Sequence, residues 1–491
     1  MTASGIIALI IFFGTIFLSL KGLISQRLFP MQVALLIASM LIMIVGFILG
    51  GKINLSLIII GTFLHPITAT IAGFILAGAL KGAGAFESAA RWIKKLSESF
   101  LGVPFTVIVL VNIPTLLAMP CGRVWVSPLI PIALFLGFEI AAKSGDRKMP
   151  LIIVSGLVIN AAASCGPSLI GGIGTIGEGM GRYPSGSFSN HMQFAIMFMS
   201  AFAMVLSKYF FNEDISEKIN VIENVNGNQN TDKEISAQEH GSFSLIVFIA
   251  SIVLTIVFKP AMPIQTVLML ATLFIMFIAR LSLDDVIKGI MLHPLTAMIS
   301  GFIAAGALNM FGGFDVLVQI LSLLSENTPL GYIGVSILLI YLPIFLPLPC
   351  GRIIAVSLIP GVLMFGEHVS LVAGIPAIQE VMIVCFILSG AASCGPSPLG
   401  GIGSIAEGRL RLKGSISRVL SIAVFLAVPI AGFSVKAIGL STNVIEHGFL
   451  VEAVITGAVV GVITSALTTK RFFHPGGLIG GLTVSLLMLV L

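Results

Sequence analysis

Long apolar stretches separated by short polar segments recur along the whole chain. They include residues 5–20, 31–50, 189–211, 262–281 and 448–468. Each is close to the roughly 20 residues that an α-helix needs to cross a bilayer. No polar stretch between them is long enough to form a soluble domain. The pattern therefore predicts an all-α polytopic membrane protein.

The composition supports lipid as the main solvent of the chain. Of its 491 residues, 57% are hydrophobic and 10% are charged, against roughly a quarter charged in soluble domains. The net charge of +5 is expected from basic residues at cytoplasmic helix ends, so it gives no reason to expect nucleic acid as a partner. Five cysteines are too few for a disulfide framework. No recognisable metal or nucleophile motif occurs, and we expect neither enzymatic activity, a resident metal nor a cofactor.

The second half of the chain repeats the first. A Leu-His-Pro motif recurs at 64–66 and 292–294, and Pro-Cys-Gly-Arg recurs at 120–123 and 349–352. The longest match, Ala-Ala-Ser-Cys-Gly-Pro-Ser, continues into Gly-Gly-Ile-Gly and then a glutamate in both copies. The offset between matching residues stays at 228 or 229. This constancy indicates a duplication.

Two apolar arms joined by the Pro-Cys-Gly-Arg motif occur in each copy. In the first copy they span residues 104–142, and the proline and glycine between them interrupt the helix. Either two full crossings or a re-entrant hairpin fits this pattern. The basic residues favour the hairpin. With it, each copy makes five crossings, the second copy is inverted, and 20 of the 26 Lys and Arg residues lie inside and four outside.

The predicted fold therefore has two inverted-topology repeats, each with a re-entrant hairpin and a broken transmembrane helix. We expect twelve crossings, both termini outside, and insertion in a prokaryotic cytoplasmic membrane. The segment 86–96, which contains Trp92, is predicted to be an interfacial amphipathic helix. The predicted parts are a first repeat, a polar cytoplasmic linker, a second repeat and two additional C-terminal helices, at residues 1–211, 212–240, 241–437 and 438–491.

The interrupted segments predict a substrate site. Broken helices at matching places in inverted halves present amides and carbonyls to a solute. Backbone amides at the breaks are candidates for holding an anion, and carbonyls with serine hydroxyls are candidates for holding Na⁺. The residues expected there are Ser164, Gly166, Ser168, Ser393, Gly395 and Ser397. The hairpin tips are expected to contribute Cys121, Gly122, Arg123, Cys350, Gly351 and Arg352.

The arginines at the hairpin tips require compensation, because an arginine inside a bilayer costs roughly 2.5–3.5 kcal/mol on the insertion scale. Arg123 and Arg352 either bind a substrate carboxylate or form fixed ion pairs with Glu178 and Glu407. Unpaired, the glutamates would carry protons or coordinate Na⁺ as coupling groups. Nearby glycines allow close backbone approach for the coupling ion or simply for helix packing. They are Gly172, Gly174, Gly401 and Gly403.

The repeated histidines and cysteines each have two interpretations. His65 and His293 are interpreted as packing residues with a polar contact, with a proton relay as the alternative. The cysteines of the repeated motifs, at 121, 165, 350 and 394, are interpreted as small buried packing residues. Binding of a soft metal or metalloid is the alternative for the cysteines.

Inverted copies, each with a scaffold bundle, a re-entrant hairpin and a broken helix, resemble the ion-transporter superfamily. This group includes divalent anion:sodium symporters, sodium/proton antiporters and arsenite-efflux proteins. The resemblance extends through Lys436 and rests on architecture. The symporter hairpin tips carry Ser-Asn-Thr, where this chain has Pro-Cys-Gly-Arg.

The resemblance implies a homodimer with an elevator-like transport domain. It also implies Na⁺- or H⁺-coupled transport of small organic anions such as di- or tricarboxylates. A sodium/proton antiporter is the alternative. An intramembrane enzyme or an ion channel would fit the composition, but the chain lacks the motifs of either class.

Overall fold

A computed structural model gives the fold, which is helical, without a strand, over the residues that it describes. The described residues are 2–20, 31–54, 65–99, 101–116, 123–167, 172–184, 186–210, 231–257, 264–289, 292–346, 351–396, 402–403, 406–407, 415–440, 447–469 and 471–490.

The first half of the chain contains nine described helices. They are α1 (Ala3–Leu20), α2 (Met31–Ile48), α3 (His65–Gly82), α4 (Ala85–Ser97), α5 (Gly102–Leu116), α6 (Arg123–Ser144), α7 (Met149–Ala163), α8 (Ile173–Gly181) and α9 (Ser189–Phe210).

The second half follows in a similar order and ends with two additional helices. Its helices are α10 (Thr231–Val257), α11 (Ile264–Ile278), α12 (Leu283–Gly289), α13 (Leu292–Met310), α14 (Gly313–Asn327), α15 (Gly331–Phe345), α16 (Arg352–Ala373), α17 (Ala377–Ala392) and α18 (Ser415–Ile438). The last two are α19 (His447–Thr469) and α20 (Pro475–Val490).

Four described helices are long and apolar enough to cross a membrane, and a fifth crossing results if a bent pair counts as one span. The four lie within α9, α16, α18 and α19. The bent pair is α13 with α14, which meet at 79°. Ten further apolar helices have 10–17 residues each. The helices are those of a membrane protein, while twelve crossings and the inverted orientation stay predictions.

Helices begin at or near several features of the predicted organisation, while the predicted boundaries of the repeats stay predictions. The arms of both predicted hairpins are helical, and α6 and α16 each begin at the arginine of the Pro-Cys-Gly-Arg motif. The linker was predicted to extend to residue 240, but α10 already begins at Thr231. The first turn of α10 has Thr231, Asp232 and Glu234, and such residues favour a helix N-terminus. Residues 212–230 of the linker lie outside the described part.

The two halves pack on each other reciprocally. Helices α1 and α2 of the first half pack against α14 and α13 of the second, and α10 and α11 of the second half pack against α4 and α3 of the first. Helices α9 and α18, which occupy matching places in the repeat, pack directly against each other. The duplicated sequences therefore form corresponding contacts in both directions.

Helix α4 has a single buried face, as the predicted amphipathic segment requires. Ala85, Ser88, Ala89 and Ile93 are buried, whereas Trp92 is exposed. The buried positions follow helical spacing. Insertion of the opposite face at a membrane surface stays a prediction.

The C-terminal pair packs mainly on the first half. Helices α19 and α20 pack on α5 and α9, where Ile108 and Met197 are 1% and 0% exposed. The matching positions of the second half, Ile337 on α15 and Leu426 on α18, are 46% and 47% exposed. One face of the repeat is therefore enclosed by protein in the first half and left uncovered in the second.

Candidate functional site

The Ser-Cys-Gly-Pro-Ser segments interrupt the chain at matching places, as the sequence predicts. Helix α7 ends at Ala163, and α8 begins at Ile173 after Gly172, which has an extended backbone. In the second half α17 ends at Ala392, and residues 402–403 and 406–407 are again helical. Over the described residues, a helix therefore ends at the matching place in each half, and helical residues follow after an interval.

Each break is closed by two backbone hydrogen bonds. The Ile173 amide donates to the Cys165 carbonyl (2.9 Å), and the Gly174 amide donates to the Gly166 carbonyl (3.0 Å). The second half has the same pair of bonds, from Ile402 to Cys394 (2.8 Å) and from Gly403 to Gly395 (3.0 Å). These bonds satisfy groups that a helix end leaves unpaired, so a broken helix is stable at membrane depth.

The two breaks contact each other across the halves. The Cys165 thiol points to the Ala391 carbonyl (Sγ to O, 3.8 Å), and the Cys394 thiol points to the Ala162 carbonyl (3.6 Å). Gly166 lies beside Ala391, and Gly395 lies beside Ala162. Both cysteines are buried and are not in disulfides. These contacts favour the packing interpretation of Cys165 and Cys394, while Cys121 and Cys350 lie outside the described residues.

Two amides expected to bind an anion are already occupied. The Gly166 amide donates to the Ala163 carbonyl (2.8 Å), and the Gly395 amide donates to the Ala392 carbonyl (2.9 Å). In this conformation these two amides therefore donate within the chain, and anion binding by the amides around the breaks stays a prediction. The cause is local. A turn follows each helix, and its hydrogen bond uses the glycine amide that a ligand would otherwise accept from.

The serine hydroxyls keep their acceptor capacity. Ser164 Oγ donates to the Ala161 carbonyl (2.9 Å), and Ser393 Oγ donates to the Gly390 carbonyl (2.8 Å). A hydroxyl oxygen that donates its hydrogen still has lone pairs for a cation. Both side chains are buried at the helix ends. Their oxygens are therefore suitably placed ligand candidates for Na⁺.

Gly351 of the second Pro-Cys-Gly-Arg motif lies against the end of α17. A Cβ atom added to Gly351 would overlap with both the Gly390 carbonyl and Ser393 Oγ. The structure thus brings together two predicted parts of the site, the Pro-Cys-Gly-Arg tip and the end of α17. Arg123 and Arg352 begin their helices, but their side chains lie outside the described part of the chain. So do Cys121, Gly122, Ser168, Cys350, Ser397 and Gly401.

The two repeated glutamates cap the helices that follow them. Glu178 accepts hydrogen bonds from the Gly186 amide on Oε2 (2.8 Å) and from the Phe188 amide on Oε1 (2.9 Å). Glu407 accepts from the amide (2.9 Å) and the hydroxyl (3.1 Å) of Ser417, both on Oε1. A carboxylate is favourable at a helix N-terminus because amides and the helix dipole stabilise its charge. The comparison of the two halves did not predict this capping role. The available signal was the ten-residue spacing, which is the same from Glu178 to Phe188 and from Glu407 to Ser417.

A tyrosine closes the loop between α8 and α9. The Tyr183 amide donates to the Glu178 carbonyl (2.8 Å), and its ring packs on Phe188 with centroids 5.3 Å apart. Burial raises the pKa of Tyr183 to about 12, with smaller contributions from Glu380 and Glu367. The phenol therefore stays protonated and uncharged at physiological pH.

A buried asparagine network in the first half is a feature that the sequence analysis does not predict, and the matching positions of the second half lack the asparagines. Asn160 Oδ1 accepts from the amide (3.2 Å) and hydroxyl (2.9 Å) of Thr115, next to Pro114, and Asn160 Nδ2 donates to Asn112 (2.9 Å) and Ser200 (3.2 Å). It stabilises α5 where proline disrupts the helical hydrogen bonds. Tyr341 and Ser389 occupy the positions of Asn112 and Asn160 in the second half. The sequence signal for this network was the presence of two asparagines within apolar helices.

Alanine at Gly174 is expected to destabilise the protein by about 1–3 kcal/mol. Its Cβ would lie 2.7 Å from the Gly166 carbonyl oxygen and 2.8 Å from Met192 Cε. Gly179→Ala, in the same helix, is the matched control because nothing lies within 4 Å of its Cβ, and alanine there improves helix propensity. Thermal unfolding of the two purified variants measures the difference. Equal midpoints would mean that the break is not packed in this way.

The break contacts, the glutamate caps and the hairpin-tip contact are the features from which a function can be inferred. No protein-family model matches the chain, and no curated protein matches its sequence.

Proposed function

We propose that the protein is an ion-coupled secondary transporter of small organic anions, with Na⁺ or H⁺ as the coupling ion and two inverted repeats as its framework. The contact between the two interrupted segments, Cys165 with Ala391 and Cys394 with Ala162, is the observation that carries the proposal. Solute sites of secondary transporters lie where broken helices of two repeats meet. An all-helical scaffold alone would not require breaks at matching places.

In this proposal the coupling cation and the substrate anion are bound by different residues. The hydroxyls of Ser164 and Ser393, together with nearby carbonyls, hold the cation. Arg123 and Arg352, at the starts of α6 and α16, hold the carboxylate of the substrate. Gly351 contacts Ser393 directly, which supports a cation and an anion binding next to each other. An adjacent cation lowers the cost of bringing the anion into a low-dielectric site.

A sodium/proton antiporter is the second candidate, and the burial of the repeated glutamates supports it. Glu178 and Glu407 are 3% and 8% exposed. Ionisable residues within membrane helices commonly mark proton or cation pathways. In this case the arginines are structural and the glutamates exchange ions.

Uptake by proteoliposomes separates these functions. Purified protein would be reconstituted and given radiolabelled di- and tricarboxylates under an imposed Na⁺ gradient, an imposed pH gradient, or neither. The proposal expects carboxylate accumulation driven by one gradient, and protein-free liposomes are the control. Na⁺-dependent proton movement without carboxylate uptake would favour the antiporter.

The inverted orientation is testable by labelling of introduced cysteines. The inverted arrangement places 20 of the 26 Lys and Arg residues on the inner side, so cysteines at Asp146 and within 212–240 should react with an impermeant maleimide only from the cytoplasm. A cysteine at Glu367 should react only from outside. The parent chain measures the background from native cysteines. External labelling of all three positions would contradict the inverted arrangement.

A further inference from the structure

A polar chain of three side chains joins the first half, the second half and the C-terminal pair. His191 on α9 contacts Ser434 Oγ on α18 through Nδ1. Ser434 Oγ lies 2.7 Å from Glu452 Oε2 on α19. His191 Nε2 lies 3.0 Å from the carbonyl oxygen of Gly439, which follows α18. His191 is 0% exposed and Ser434 5%.

The contacts restrict where the protons can be. A carbonyl only accepts hydrogen bonds, so the Nε2 atom facing Gly439 carries a hydrogen. The Ser434 hydroxyl has one hydrogen but two neighbours, Nδ1 of His191 and the carboxyl group of Glu452. If His191 were neutral and Glu452 ionised, both neighbours would be acceptors, and one of the two contacts would lack a hydrogen.

One additional proton gives every contact among His191, Ser434 and Glu452 a hydrogen. Placed on Nδ1, it lets His191 donate to Ser434 while Ser434 donates to Glu452. Placed on Glu452, it lets Glu452 donate to Ser434 while Ser434 donates to Nδ1. The two arrangements contain the same number of protons and differ by a transfer through the hydroxyl group.

We propose that His191, Ser434 and Glu452 form a proton-binding site that fastens α19 to the interface between α9 and α18. Glu452 lies within the apolar span Gly448–Thr469, where an ionised carboxylate without a partner is costly. The Phe449 ring, 5.0 Å from the His191 ring between centroids, covers the site. The proposal goes beyond the transport function and does not depend on it.

The surrounding helices supply few other ionisable groups. Helices α5, α7 and α20 carry none. Lys436 is exposed, and its position two residues after Ser434 places it about 200° further around α18. The other ionisable residues on α9, α18 and α19 themselves are Lys208, Tyr209, Arg418 and His447. On α6 and α17, which pack against these helices, the ionisable residues are Arg123, Glu139, Lys143, Glu380 and Cys385.

The sign of the pH dependence follows from proton counting. Above about pH 6.5 the unfolded chain has a neutral histidine and an ionised glutamate, whereas the folded site holds one proton more. Unfolding then releases that proton, so stability falls as the pH rises. The loss begins near pH 6.5 and ends where the folded site itself deprotonates.

The key variant is Glu452→Gln, whose amide donates to Ser434 without needing a proton. Apparent unfolding midpoints in detergent, measured from pH 6.5 to 9, should fall by several degrees more for the wild-type protein than for this variant. Lys436→Gln is the matched control and should keep the wild-type slope. Ser434→Ala removes the shared hydroxyl, so it should lower the midpoint at every pH and also flatten the slope.

Parallel wild-type and Glu452→Gln curves would overturn the proposal. A wild-type slope retained in Ser434→Ala would also overturn it, even if Glu452→Gln did not fold. Because no transport is measured, a failure of the proposed transport function would leave these results unaffected.

Discussion

Replacing Arg352 with glutamine is expected to weaken carboxylate binding about a hundredfold. Removing one partner of a desolvated, charge-assisted hydrogen-bonded pair commonly costs a few kcal/mol, and each 1.4 kcal/mol is about tenfold in affinity. Arg352 follows Gly351, which lies on Ser393 at the second break. The same loss is expected for Arg123→Gln. Concentration-dependent uptake by proteoliposomes measures both.

The control for charge alone is lysine. Arg352→Lys should recover only part of the affinity, because lysine keeps the charge but lacks the planar fork that matches a carboxylate. If the arginines instead neutralise Glu178 and Glu407, single changes should destabilise the protein. Double variants lacking an arginine and its glutamate should then fold and bind substrate almost normally. Near-normal carboxylate affinity in folded variants lacking either arginine would exclude the anion site and favour the antiporter.

If Glu407 binds the coupling ion, replacing it with glutamine should abolish gradient-driven transport while leaving the protein folded. Glutamine retains the oxygen that accepts both hydrogen bonds from Ser417, since both end on Oε1. The charge needed to bind a coupling ion is lost. Transport under imposed gradients and the unfolding midpoint, measured on the same preparation, separate coupling from capping.

Glu178→Gln should differ in stability. Glu178 uses one oxygen for the Gly186 amide and the other for the Phe188 amide. A glutamine must point its NH₂ group at one of these donors, so about 1–3 kcal/mol of stability should be lost. Glu407→Ala, which removes the cap itself, should cost about 0.5–2 kcal/mol. Unchanged ion dependence in both glutamine variants would remove the glutamates from coupling.

The sequence predicted the helices and their breaks because both follow from local composition. The apolar runs around α9 and α19 have the length of a span, and Pro-Cys-Gly-Arg precedes α6 and α16 at the predicted places. The duplication also directed attention to the residues that proved to be in contact at the breaks. The duplication could not predict which hydrogen bonds each polar group forms. For example, the turns after α7 and α17 use the Gly166 and Gly395 amides as donors.

The comparison of the two halves also did not single out polar residues that have no counterpart in the other half. His191 aligns with Leu420, and Asn160 aligns with Ser389, so neither stands out as a repeated feature. The partners of His191 lie more than 240 residues away in sequence. Such contacts are set by how α9, α18 and α19 pack, and no local pattern encodes them.

The uncovered face of the second half has a consequence for the surrounding bilayer. Ile337 and Leu426 are open, while their first-half counterparts Ile108 and Met197 are enclosed by α19 and α20. In a membrane, a single copy of the chain presents these second-half helices to acyl chains where protein covers the first half. Hydrophobic mismatch therefore acts directly on α15 and α18. Helices α19 and α20 lie between the lipid and α5 and α9, so mismatch acts on those helices only indirectly. Bilayer thickness thus acts unequally on two halves that share one sequence pattern.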